Sequence, residues 1–398
     1  MSPIIDINDL GLDRGAHLLI KRALRNVAVG ATIGVRGSNA ELAVHLPAWC
    51  RAQGHELVVA NGDATWWITR SPVEQSRWRG AERAGEANQK RAGAVADFPK
   101  ASWGLAARGA TVEAGAPAFQ FALADKDAIW AEEAAHLYQQ ALNAQWNPDD
   151  AIDWSAPFEL ADEVEDAVVQ VMTYLIENEN AALLVPARFL GQVHPHFREV
   201  VQLLAIQIAD EARHVEVFTR RAVLKRERMG LSTLGGQASL KTLFDESEFA
   251  VASFLLSVLG EGTFVALLHF LQAHAPDPVT RQIAKLTARD EARHVAFGMA
   301  HLQYQLAHDV KLRPRLAAAV EHRYTALAQT AGLNEEVFDA LVLLAAGEFS
   351  PGAIAAGFDK VQMLKEEMAQ GRELRLNRLG FRDGESTRLA HLHTRNFM

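Results

Sequence analysis

The chain has 398 residues, enough for two or three domains that each bury a core of their own. A formal net charge of −9 excludes a general phosphate-backbone binder, which needs clustered positive charge to displace counterions, so nucleic acid is not expected as a partner. A single cysteine, Cys50, excludes an intrachain disulfide, a Cys-rich zinc site and a dithiol redox pair, so any metal must be held by Glu, Asp and His. Apolar residues make up 49% and charged residues 22%; no run approaches the apolar length that spans a bilayer, and the first residues lack signal-peptide character. A cytoplasmic protein without a membrane partner is expected.

Residues 1–70 read as a small α/β domain. A helix is expected over Ala16–Arg25, a strand over Ala31–Arg36, a helix from Glu41 to Ala52 and a strand over Glu56–Ala60. An Asn-Gly-Asp turn at 61–63 and a strand Thr65–Thr69 complete a hairpin. With Gly11-Leu12-Asp13-Arg14-Gly15 at its front and Leu46-Pro47-Ala48-Trp49-Cys50 near its end, this block resembles the TusA-type sulfur carriers. That family's chemistry rests on a Cys-Pro pair where this chain has Ala16-His17, so the resemblance implies a sulfur-inactive docking or structural module. Cys50 is expected to be a small, buried or half-buried side chain.

Residues 71–124 form a linker and a short β-prone segment: both charge signs alternate over 71–95, as in a solvated linker or exposed helix, and 109–117 is turn material before Ala118–Leu123. From 125 to 398 apolar positions recur at three and four, which predicts an all-α domain. Long helices are expected near 162–190, 196–229, 246–274 and 278–309. Shorter ones are expected at 126–146, 315–331, 334–346 and 352–371.

The strongest signal is a repeat. Asp210-Glu211-Ala212-Arg213-His214 recurs, identical, as Asp290-Glu291-Ala292-Arg293-His294. A Glu and a His three apart share one helix face, so each copy offers a carboxylate and an imidazole to one ion or to a close pair. Two more carboxylates, each from a helix about thirty residues earlier, would complete such a centre. Glu261 interrupts an otherwise apolar helix thirty residues before Glu291. An unpaired carboxylate there costs on the order of several kcal/mol, so a cation is the economical explanation. For the first copy, Glu179 is preferred to Glu177, because Leu175, Ile176, Ala182 and Leu183 give it the apolar neighbours that also surround Glu261. Asp210 and Asp290 stand on the turn before each histidine, where a carboxylate can orient an imidazole; Arg213 and Arg293 can pair with them or face solvent. His269, His301, His308 and His322 are open as a seventh ligand or as ordinary surface or hydrogen-bonded histidines.

This ligand pattern, over about residues 160–310, resembles the ferritin-like di-iron oxidoreductases. The fold implied is mainly α: a ferritin-like four-helix bundle with extra C-terminal helices, preceded by the small α/β domain. The resemblance implies that Glu179, Glu211, His214, Glu261, Glu291 and His294 hold two metal ions, with Glu211 and Glu291 bridging at the catalytic centre and O₂ as co-substrate. Iron is the expected metal; di-manganese and manganese–iron accept the same ligands. Phe218 stands where a ribonucleotide reductase small subunit keeps its radical Tyr, and Gly298 is at that place in the second copy, so radical storage is disfavoured.

An oxygenase or oxidase of a small organic molecule remains. Val215, Phe218, Phe264, Val265 and Leu268 are in helical phase to line its pocket or to pack as bundle core. No flavin, nicotinamide or iron–sulfur motif is present, so electrons come from a ferredoxin or reductase partner unless the substrate supplies them. A homodimer is open. The competing reading is a scaffold that docks a partner through the TusA-like domain and holds metal for stability alone.

Overall fold

In the computed structural model the described residues are 2–59, 65–88, 90–328 and 335–392. The turn expected at 61–63 lies outside them, as do the expected helix limits at 331 and 334. The chain divides into two compact units, one of residues 1–96 and 100–120, the other of 97–99 and 121–398.

The first unit runs β1 (Ile4–Asp6), α1 (Ala16–Arg25), β2 (Thr32–Arg36), α2 (Leu42–Gln53), β3 (Glu56–Val59) and β4 (Thr65–Thr69). The sheet order is β1-β2-β4-β3; β1 is parallel to β2, and β4 is antiparallel to both β2 and β3. Gly15, at φ 104°, starts α1 in a conformation that a Cβ would strain, and Gly54, at φ 75°, ends α2. Ile20, Leu24, Ile33, Val35, Leu46, Ile68 and Cys50 form the core. Burial pushes the Cys50 thiol up to about 12, which makes it a packing group rather than a nucleophile. The stretch expected as linker or exposed helix instead holds β5 (Glu82–Arg83), which pairs antiparallel with β6 (Thr111–Val112) from the segment expected as turn, with Ala84 and Ala94 buried.

The second unit is mainly α. Its helices are α3 (Ala134–Asn143), α4 (Pro148–Ala151), α5 (Asp162–Leu190), α6 (Arg198–Ala222), α7 (Leu234–Phe244), α8 (Phe249–Ser253), α9 (Gly262–His274), α10 (Pro278–His308), α11 (Leu312–Ala328), α12 (Glu335–Ala346), α13 (Pro351–Arg378) and α14 (Asp383–His391). Helix α5 packs along α6 and α9 along α10, while α8 and α9 are joined by a π-helical segment, Phe254–Glu261. These rods form the four-helix bundle, with α12 and α13 laid against α5 and α9. Val171, Leu175, Phe218, Leu267, Leu268 and Ile283 sit at its centre, fully buried.

Three differences from the sequence reading matter for the site. The helix expected over 126–146 is broken: Asp125 caps a short turn, Ile129 and Trp130 go into the core, and α3 stops at Asn143, leaving Gln145 and Trp146 outside the helix. Helix α6 ends at Ala222 rather than 229, because Gly230 lies against Gln170 and the chain there is tied to α5 by bonds between Leu231 and Gln170. Phe249–His274 has the length and hydropathy to cross a bilayer, contrary to expectation. Within this bundle 83% of its apolar window is buried, so those residues form core.

A candidate two-metal centre

Each half of the centre is carried by a helical hairpin. Glu179 projects from α5 and Glu211 and His214 from α6; Glu261 ends the π segment, and Glu291 and His294 come from α10. Asp277 caps α10 by accepting from the Thr280 amide, with Pro278 in the first turn, which fixes where the second motif's helix starts. The extra residue of a π turn re-aims side chains on an otherwise α-helical rod, and here it delivers Glu261 to the cluster.

Two groups of buried candidate ligands result: Glu179, Glu211, His214 and Glu291, and Glu211, Glu261, Glu291 and His294, with ligand-type atoms within 4.8 Å of one another in each. Glu211 and Glu291 belong to both. His214 Nδ1 stands 3.1 Å from Glu211, 3.2 Å from Glu291 and 3.6 Å from Glu179; His294 Nδ1 stands 2.9 Å from Glu211 and 3.5 Å from Glu291. None of the six residues is more than 4% exposed. Glu177 is half-buried and outside both groups. His269, His308 and His322 are exposed, and buried His301 uses Nδ1 on the Trp130 carbonyl, so none of these four joins the cluster.

The aspartates work crosswise. His214 Nε2 meets Asp290 at 3.2 Å, and His294 Nε2 meets Asp210 at 3.4 Å, so each motif's aspartate orients the other motif's imidazole. A carboxylate here accepts, which puts the proton on Nε2 and turns the Nδ1 lone pair toward the glutamates. Arg213 and Arg293 each pair with both aspartates. Gln145 and Trp146, which the sequence did not single out, complete the ring: Gln145 donates to Asp210 and accepts from Arg213, and the Trp146 indole donates to Asp290 at 2.8 Å beneath the Arg213 guanidinium.

Charge decides what the cluster is for. Two arginines neutralise the two aspartates, leaving four buried glutamates without a fixed cation among the described residues, a charge that two divalent ions would balance. Burial, then the charges of Glu291 and Glu211, raise Glu179 well above the carboxylate range; burial and Glu291 do the same to Glu261. Burial would lower His214 and His294, but the surrounding carboxylates outweigh it and raise both. Oxygens of Glu179, Glu211, Glu261 and Glu291, and His294 Nδ1, are buried without a hydrogen-bond partner, as expected of atoms arranged around metal ions. The donor set, oxygen and imidazole nitrogen only, fits iron or manganese.

A pocket opens on the glutamate side, with about 300 Å³ of empty space, mouth included. Asn178, Glu179, Glu261 and Glu291 form its polar floor and Ala182, Leu240, Leu243, Leu256, Gly260 and Phe264 its walls. Of the five pocket residues expected from helical phase, Phe264 is there. Phe218 and Leu268 pack in the bundle core, and Val215 and Val265 are half-buried away from the lining, because α7 and the π segment supply the walls instead.

No protein-family model and no curated protein matches the sequence. Among solved structures, two variants of an R2-like ligand-binding oxidase with anaerobically reconstituted Mn/Fe cofactor are similar. One gives a TM-score of 0.51 at 19% identity over 63% of this chain and 93% of that one; the other gives 0.50 at 18% over 63% and 94%. The chain shares their fold.

Proposed function

We propose that this chain is a two-metal, O₂-dependent oxidoreductase, an oxidase or oxygenase of a small organic substrate. The observation that carries this reading is the pair of candidate ligand groups sharing Glu211 and Glu291 in the buried core of the bundle. The fold-sharing oxidases carry Mn/Fe, which supports iron or a manganese–iron pair here. Bound metals would supply the electrons and the O₂ site. The chain's own residues do the rest: Asp210 and Asp290 fix the imidazoles, Glu211 and Glu291, common to both groups, would be shared by the two ions, and the apolar walls at Leu240, Leu243 and Phe264 exclude water and select an apolar substrate group. An external ferredoxin or reductase supplies reducing equivalents. The enzyme is read as cytoplasmic, as its sequence suggests; the spanning-length segment Phe249–His274 is mostly buried in the bundle.

Loading the full chain with ferrous iron tests this. Two ions per chain, O₂ uptake above a free-iron control and a transient visible absorption are expected, with Glu261→Ala and His294→Ala losing metal and uptake together. Two bound ions with uptake no faster than the control would instead favour a metal-stabilised scaffold.

A further inference from the structure

A second cavity of about 440 Å³, mouth included, lies among the π segment, α11, α13 and α14. Leu255, Leu259, Val320 and Leu327 wall it, and Tyr324 stands half-open to solvent at its edge. Two arginines line the same cavity, Arg323 from α11 and Arg372 from α13, at 9% and 4% exposure. Arg323 donates to the hydroxyls of Thr242, at 2.9 Å, and Ser239, at 2.8 Å; Arg372 donates to Thr263 and to the Ala390 carbonyl. Each terminal nitrogen of Arg323 gives one bond to a hydroxyl, which uses two of its five N–H donors and leaves its charge uncountered; among the described residues no carboxylate pairs with it.

We infer that this cavity is a binding site for an organic carboxylate with an apolar body. Guanidinium is planar and matches a carboxylate through two parallel bonds, while leucine and valine walls offer nothing to a small inorganic anion. Burial pulls Arg323 down to about 10 and Arg372 down to about 9, which leaves both cationic at neutral pH. The site is separate from the metal pocket. Leu255 and Leu259 face this cavity, whereas Leu256 and Gly260 of the same segment face the metal side, so the bound acid would lie against the back of the element that delivers Glu261. The inference does not depend on the proposed oxidase activity.

Calorimetric titration of the metal-loaded full chain with octanoate, octanamide and inorganic phosphate tests it. Octanoate is expected to bind saturably, and octanamide, the same body without charge, about ten-fold or more weaker. Arg323→Gln is expected to bring octanoate down to the octanamide level while metal content stays at the wild-type value. Equal binding of octanamide, equal binding of phosphate, or undiminished octanoate binding by Arg323→Gln would each overturn the assignment. Should that variant fail to fold by circular dichroism, Val320→Trp, which fills the cavity, carries the test: loss of octanoate binding supports the site and unchanged binding overturns it.

Discussion

Asp290 holds the imidazole of His214, seventy-six positions away in sequence, and not that of His294 on its own helix. Neutralising it would remove the charged acceptor that fixes the His214 tautomer and would leave Arg213 and Arg293 with one aspartate between them. Asp290→Asn is therefore expected to weaken metal binding about 10–100-fold at the position that uses His214, and Asp210→Asn at the position that uses His294. Metal per chain during chelator competition should fall from two toward one in each variant. Equal weakening of both positions by both variants would contradict the crossed arrangement. The repeat made the clustered Glu and His residues legible because Glu and His three apart is a local, helix-periodic signal. The crossing was not legible, since the sequence puts each aspartate a turn from its own histidine and says nothing of which helix faces it. Gln145 and Trp146 carried no signal at all: they reach the ring only because α3 stops early and their partners are remote in the chain.

At the scale of elements, the position of Glu261 depends on how closely α10 approaches the π segment. Gly298, one turn beyond His294, has no side chain where Ser257 Cβ would lie 2.7 Å from an added Cβ. That contact is with the root of a side chain, so the helices themselves must separate. Gly298→Leu is expected to cost about 1–3 kcal/mol of stability, as overpacked cores do, and to lower occupancy of the metal position that uses Glu261 and His294. Thermal unfolding and metal analysis of the same preparation check both; wild-type metal content would show that the close approach does not set the ligand. Helices with explicit punctuation were readable in the sequence: α10 follows Asp277-Pro278, and α5 is a long amphipathic run. Helix α7 was not, because Gly235-Gly236 in its first turn reads as loop; Thr233 caps it and tertiary burial of Ser239 and Leu243 holds it. The π turn gives no periodic signature in eight mostly apolar residues, so the walls it lends to the metal pocket could not be anticipated.

For the helical unit as a whole, a second buried charge cluster sets how firmly the rods that bear the ligands are tied. Arg221, near the end of α6, is fully buried and donates to Glu165 of α5 at 2.6 Å, to Asp277 at the start of α10 at 2.9 Å and to Thr280 at 2.9 Å. Burial alone would lower its pKa, and the two carboxylates outweigh that and raise it. Three of the helices that carry the candidate ligands thus meet on one guanidinium, turns away from those residues. Replacing it with Met leaves Glu165 and Asp277 buried without a countercharge, and breaking a buried pair in this way typically costs about 3–5 kcal/mol. Arg226, only a few residues on, pairs with Asp162 and Asp166 at the surface, where solvent screening leaves an ion pair contributing little. Arg221→Met is therefore expected to lower the urea midpoint of the helical signal strongly, and Arg226→Met hardly at all. Equal midpoints for the two variants would show that the buried cluster does not hold the three helices together.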